Sequence, residues 1–267
     1  MHLKRWISGL ILAPSLILFI LFAPPWLFLF FILALVFIGL GEAYALLLPA
    51  ISRKEKMAGI LLGLLPPISL YSRDPRCFLA TQTFLLLFLL IWVLFQTEEF
   101  PLRVEKASRY FLGFFYISFL LSHFILLMKL ERGRLLILFT LVAVYFGDTT
   151  AFYVGRAWGR KKLAPRISPG KTVEGGWGAV LGSILGALVS KWIFFPQLSV
   201  IHVLILGGAI GVEGQLGDLW ESLLKRSARV KDSGTLIPGH GGLLDRIDSV
   251  LFAGPLVYYY CWAAGLG

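Results

Sequence analysis

Charge is scarce in this chain. Lys, Arg, Asp and Glu make up 15% of its 267 residues, where soluble domains carry about 25%. Hydrophobic residues make up 58%, and the mean hydropathy is +0.81. That excludes an ordinary soluble globule and equally a disordered chain, which is poor in apolar residues. Cysteine is nearly absent. Cys77 and Cys261 lie in separate apolar stretches. They form neither a disulfide framework nor a CxxC metal site and read as small hydrophobes. The four histidines, at 2, 123, 202 and 240, show no HExxH or His-rich spacing. Acid is scarcest of the charges: 15 Asp and Glu face 25 Lys and Arg, for a net charge of +10 and a pI near 9.8. In so apolar a chain this basicity points to loops facing an anionic membrane surface, not to nucleic acid.

What is abundant is apolar sequence in long runs. A membrane helix needs roughly 20 mostly apolar residues, and about nine stretches approach that: 6–23, 26–48, 57–72, 77–95, 111–128, 134–154, 176–196, 200–217 and 250–266. The expected fold is therefore an all-α, polytopic integral membrane protein. The 57–72 span is short and carries Pro66-Pro67, so a broken or re-entrant helix is expected there. The lower end of 200–217 is open, because Glu213 lies within it and Asp218 directly follows. Lys4, Arg5 and an apolar run resemble a signal peptide, but proline follows the one plausible cleavage alanine, Ala23, and a retained first helix is expected. With nine spans, nineteen of the 25 Lys and Arg fall on the side of the N-terminus and five on the other, with Lys191 inside a span. The positive-inside rule then puts the N-terminus in the cytoplasm and the C-terminus outside.

Residues 1–267 read as a single membrane domain: N-terminal helices over 1–140, then a part over 141–267 carrying loops at 155–176 and 218–249. Gly178, Gly182 and Gly186 recur at four-residue intervals, followed by Gly207 and Gly211. Such spacing lets helix backbones approach closely, either within one bundle or across a dimer face.

Among residues 1–140, Glu42 stands out inside a span, as a functional acid or a hydrogen-bonded core group. The C-terminal part is richer. Asp148 lies within Tyr145-Phe-Gly-Asp-Thr-Thr-Ala-Phe-Tyr153. Asp218, Glu221, Ser222 and Lys225 share one helical face, and Asp245 and Asp248 are again i and i+3. Three helix ends thus carry carboxylates to the cytoplasmic side. Buried acids need compensating cations. These are Lys and Arg in a structural ion-pair network, or a hard, oxygen-liking ion such as Mg2+, since no Cys or His cluster accompanies them. The loops between them are basic and glycine-rich. Gly170-Lys171-Thr172 ends like a P-loop, but GxxxxGK[ST] fails at Pro165 and no βαβ unit surrounds it. Loop amides and a lysine at a helix start still suit phosphate oxygens. Carboxylates for metal, Lys and Arg for phosphate, and glycines around His240 together compose a phosphoryl or nucleotidyl transfer site.

Residues 222–248, SLLKRSARVKDSGTLIPGHGGLLDRID, fit without a gap the signature of the CDP-diacylglycerol synthases, or phosphatidate cytidylyltransferases. Residues 148–176, DTTAFYVGRAWGRKKLAPRISPGKTVEGG, resemble that family's second shared region. The resemblance is strong over the C-terminal 120 residues; before them the match is only a run of membrane helices. It implies a bacterial-type inner-membrane enzyme that makes CDP-diacylglycerol and pyrophosphate from CTP and phosphatidate. It also implies divalent-metal dependence, a cavity open to cytoplasm and lipid, and commonly a homodimer. On this reading Asp218 and Asp245 hold one or two divalent ions, a second and monovalent ion being compatible, with Asp148 and Asp248 as neighbouring ligands or as groups that support the ligands from behind. Lys171, Lys225, Arg226, Lys231 and Arg246 bind phosphate oxygens, with Thr172. Ser168, Ser222 and His240 orient phosphate, unless His240 only caps its loop. The nucleophile is already a phosphate anion, so no strong general base is needed. The alternatives are a cation transporter, which would spread its acids across the bilayer depth, and another CTP-dependent lipid transferase or kinase. A CDP-alcohol phosphotransferase is excluded, because its Asp-Gly-x-x-Ala-Arg motif is absent.

Overall fold

A computed structural model of the chain describes residues 14–72, 74–235 and 241–266. The chain is helical over 14–22 (α1). The helices α2 (Pro25–Leu47), α3 (Arg53–Gly63), α4 (Leu65–Tyr71), α5 (Pro75–Leu94) and α6 (Phe100–Gly113) follow. A π-helical stretch, Phe114–Phe119, joins α6 to α7 (Leu120–Lys129) without a break. Then come α8 (Gly133–Trp158), a hairpin of β1 (Lys162–Ala164) and β2 (Ser168–Thr172), α9 (Val173–Phe194), α10 (Val200–Ser227) and α11 (Leu244–Ala263). Among the described residues six helices are long and apolar enough to cross a membrane: α2, α5, Phe100–Lys129, α8, α9 and α10. The expected span 6–23 lies partly outside the described residues.

Local chemistry sets the boundaries. Pro25 and Pro75 open their helices at positions whose N–H groups have no intrahelical partner, so proline costs nothing there. Ser52 and Glu55 form a capping box at the head of α3. The span with two prolines is broken as expected: α3 stops at Gly63, and Pro66 and Pro67 sit in the first turn of α4.

Two expectations change. The 155–176 segment is not all loop, because Lys162 pairs with Thr172 and Ala164 with Ser168 in a short antiparallel hairpin within an otherwise helical fold. The 218–249 segment loses its first third to helix. The polar spacing from Asp218 to Lys225 continues α10 beyond the apolar run, and the helix stops at Arg229, which has φ 58°. There the Val230 N–H donates to the Lys225 carbonyl at 3.0 Å, closing a left-handed cap.

The small residues act within the chain. A Cβ at Gly182 would lie 2.6 Å from Thr150 Cβ and 2.7 Å from the Phe146 carbonyl, so α8 and α9 touch backbone to backbone. Gly211 meets Val180 of α9 in the same way, and Gly217 meets the Asp248 carbonyl of α11. This contact places α8, α9, α10 and α11 side by side. Helix ends also sort to two sides. Lys106 bridges Glu55 and Glu98, and Arg109 donates to the Leu47 carbonyl at 2.7 Å. At the opposite ends Lys129 donates to the Ser72 carbonyl at 2.8 Å and Arg134 to that of Leu21 at 2.6 Å.

Candidate active site

One face of α8 opens onto a cavity of about 580 Å³. Asp148, Ala151, Phe152, Gly155 and Arg156 line it, spaced as i, i+3, i+4, i+7 and i+8. The hairpin adds Ser168, Gly170 and Lys171 from a second side. Gln215 and Asp218 of α10 and Asp245, Asp248 and Ser249 of α11 close it. Gln215 also ties the wall together, donating to the Gly176 carbonyl at 2.9 Å.

Carboxylates gather where α10 meets α11. One oxygen each from Asp218, Glu221 and Asp248 lie within 4.8 Å of one another. The Lys171 ammonium reaches Asp218 at 2.7 Å from the hairpin. Asp148 accepts a long hydrogen bond, 3.4 Å, from the Ser249 hydroxyl. Glu221 is fully buried; one of its oxygens is ion-paired with Lys225, while Oε1 has no hydrogen-bond partner. An orphaned buried carboxylate oxygen is costly. With three all-oxygen donors grouped there, the residues fit a hard divalent cation.

Asp245 is engaged differently. Its Oδ1 takes Lys225 at 2.6 Å, and its Oδ2 takes the N–H groups of Ser233 at 2.9 Å and Gly242 at 2.8 Å. Gly241, at φ +84°, packs so closely on Asp245 that a Cβ would lie 2.6 Å from Oδ2. Beneath this loop lies Glu42 of α2. It accepts from the N–H groups of Leu243 and Leu244, both at 2.9 Å, and the Ser233 hydroxyl lies 2.9 Å from its Oε2. Glu42 is thus a hydrogen-bonded group. It caps α11 from a helix some 200 residues earlier in the sequence.

The chain matches the cytidylyltransferase family over residues 3–264. It belongs to that family. Among curated relatives, the phosphatidate cytidylyltransferase of Bacillus subtilis is 41% identical over 145 residues, 54% of this chain and 54% of that protein. That of Thermotoga maritima is 34% identical over 168 residues, 61% of this chain and 62% of its own length. The uncharacterized protein YnbB of Escherichia coli is 40% identical over 162 residues, covering 59% and 54%. The chain spans about half the length of the curated relatives it matches first.

In this cytidylyltransferase-family chain the residues singled out by sequence separate into two groups. Asp148, Ser168, Lys171, Thr172, Asp218, Asp245 and Asp248 all line the cavity. The Thr172 hydroxyl, however, caps α9, accepting from the Gly175 N–H at 3.1 Å. Ser222 turns to Asp218 at 3.4 Å, and Lys225 lies between Glu221 and Asp245. Arg226 clamps the hairpin to the end of α10, donating to the Ile167 carbonyl at 3.4 Å. Lys231 and Arg246 are exposed and are not among the residues lining the cavity. His240 lies outside the described residues. Sequence reasoning missed Arg156, although it falls eight residues after Asp148 on one helical face. It passed over Gln215, three residues before Asp218, because an amide carries no charge. Glu174 was also passed over. Its carboxylate accepts from the N–H groups of Arg160 at 3.0 Å and Lys161 at 3.3 Å, fixing the start of the basic hairpin.

Proposed function

We propose that the chain transfers a cytidylyl group from CTP to phosphatidate, giving CDP-diacylglycerol and pyrophosphate. The observation that carries this is one cavity whose wall brings Asp218 and Asp248, grouped with the buried Glu221 behind them, together with the cations Lys171 and Arg156. A phosphate oxygen of the lipid attacks the α-phosphorus of CTP. The new P–O bond replaces the bond to the β-phosphate, and pyrophosphate leaves. Both reactants are anions, so the site must hold like charges together and in line, which is positioning and electrostatics, not base catalysis. Lys171 and Arg156 meet phosphate oxygens from the hairpin and α8. Ser168 donates its hydroxyl from the same side. Asp218, Glu221 and Asp248 hold a divalent cation, with Asp148 beside them. When bound, such a cation neutralises and orients the triphosphate oxygens. Asp245 stands outside this set, since it does not group with the three other carboxylates and takes Lys225 and two loop N–H groups, and instead it fixes Lys225 and the loop before α11.

The names of the Bacillus subtilis and Thermotoga maritima relatives support the same substrates. We place the chain in a bacterial inner membrane with nine crossings, counting α1, α3 with α4, α6 with α7, and α11 beside the remaining long helices. The N-terminus is then cytoplasmic and the cavity faces the cytoplasm. The test is incubation of the purified chain with phosphatidate, labelled CTP and Mg2+. A labelled CDP-lipid is expected from the wild type and none from Asp218→Asn, with both folded in detergent. No CDP-lipid from the wild type across metals and detergents overturns the proposal, and full turnover by Asp218→Asn overturns the metal assignment.

A further inference from the structure

A second cavity, of about 280 Å³, lies between α3, α5 and α6, and no residue lines both cavities. Its wall is aliphatic and aromatic, with Leu62, Leu85, Leu89, Phe111 and Phe115 prominent. A polar group interrupts that wall near one end. The Tyr110 side chain is 5% exposed, and its hydroxyl has no hydrogen-bond partner. A buried hydroxyl left unpaired is costly, so a partner is required from whatever fills the space.

The cavity is oriented by its ends. At one end Lys106 joins Glu55 at 2.6 Å and Glu98 at 2.8 Å and lies over the Trp92 ring at 5.1 Å. A tryptophan with such a charged cluster marks the membrane–water interface. Lys54 lines the same end, flanked by Arg53 and Lys56 in the first turn of α3, so the lip is basic. Tyr110 is one helical turn below Lys106, at ester depth. Gln82, whose amide also has no partner, closes the far end. From Trp92 to Gln82 along α5 is about 15 Å at the helical rise, and one leaflet of a hydrocarbon core about 30 Å thick is the same. The volume lies just below the roughly 300 Å³ at which ligand pockets begin, which suits one chain and not a whole lipid.

We propose that this cavity seats one acyl chain of a glycerophospholipid from the cytoplasmic leaflet, as a resident lipid and not as the reacting substrate. The lipid phosphate lies against Lys54, the Tyr110 hydroxyl donates to the ester carbonyl, and the chain runs past Leu89 and Leu85 towards Gln82.

The test uses the full chain in phospholipid nanodiscs containing phosphatidylethanolamine with a diazirine in mid-chain. After photolysis, adducts are mapped by mass spectrometry. Adducts concentrated on Leu85, Leu89 and Phe111 are expected, above those on outward-facing Leu79 and Ile201. Leu89→Trp should cut the cavity adducts by about fivefold or more, because close-packed interiors leave no spare room beside an added indole. Tyr110→Phe removes a single oxygen and should weaken them about threefold, the worth of one hydrogen bond. It also serves if Leu89→Trp fails to fold. Adding phosphatidate, CTP and Mg2+ should leave the cavity adducts in place. Equal labelling inside and outside, indifference to both variants, loss of adducts on turnover, or a crosslink to another part of the chain or to a second copy each overturns the proposal.

Discussion

Glu42 joins the two halves of the chain through three hydrogen bonds at one carboxylate. Two of its donors, the N–H groups of Leu243 and Leu244, belong to residues that are 8% and 0% exposed, so no solvent replaces the acceptor if it is removed. Each buried donor left without a partner costs about 1–3 kcal/mol. Glu42→Ala is therefore expected to destabilise the protein by about 3 kcal/mol in detergent unfolding, within the range of severe single substitutions. It should also lower turnover at least about tenfold, because α11 carries Asp245 and Asp248 and small displacements of such groups are costly. Glu42→Gln keeps an acceptor oxygen and should fall between wild type and alanine on both measures. Wild-type turnover in Glu42→Ala would show that the acid wall does not depend on α2. The sequence marked Glu42 as an acid inside a span but offered no partner. Its donors are backbone groups, which no side-chain pattern records.

The glycine stripe on α9 is the clearest case in which an element was legible and its use was not. Spacing alone announced close helix approach, yet left open whether the neighbour was in the same chain. The partner proves to be α8, through Phe146 and Thr150, which flank Asp148 and so set how that acid enters the cavity. This contact reverses the usual sign of a substitution. In a helix interior Gly→Ala gains about 1 kcal/mol from propensity. At Gly208, where the nearest atom to an added Cβ is Ile184 Cδ1 at 3.9 Å, that gain should appear as unchanged or slightly raised stability. At Gly182 the Cβ would meet Thr150 Cβ at 2.6 Å, and overpacking of about 1–3 kcal/mol should outweigh the gain. Thermal unfolding of Gly182→Ala and Gly208→Ala side by side checks this, and equal melting temperatures would argue that α8 and α9 separate easily. The hairpin was hidden for a different reason. Pro165, Pro169 and Gly170 are turn formers, and a five-residue strand reading SPGKT has none of the alternation by which strands are recognised.

At the scale of the molecule, the scarcity of charge is what made the fold readable. Runs of apolar residues located the helices, and the few acids located the site, because each intramembrane or near-membrane acid needs a stated compensation. What sequence could not give is which acid takes which partner. Asp245 and Asp218 looked alike, but Lys225 and two loop amides engage one, while the other pairs with Lys171 and groups with Glu221 and Asp248. The same economy bears on sidedness. Lys106, Arg109 and Glu55 meet at one set of helix ends, Lys129 and Arg134 at the other, so the bundle has two chemically distinct faces. In the proposed topology the first face, with the larger basic excess, is the cytoplasmic one. Cys77, in the first turn of α5 at the opposite face, is exposed, and the Ser72 hydroxyl donates to its Sγ at 3.5 Å; Cys261 is buried. A membrane-impermeant maleimide should therefore label Cys77 in right-side-out vesicles and leave Cys261 unmodified until the protein is denatured. Labelling is expected to disappear in Cys77→Ser and to be weak in sealed inverted vesicles. Strong labelling only in the inverted vesicles would turn the bundle over. The carboxylate trio would then face away from the compartment in which nucleoside triphosphates are made, which the proposed cytidylyl transfer from CTP does not tolerate.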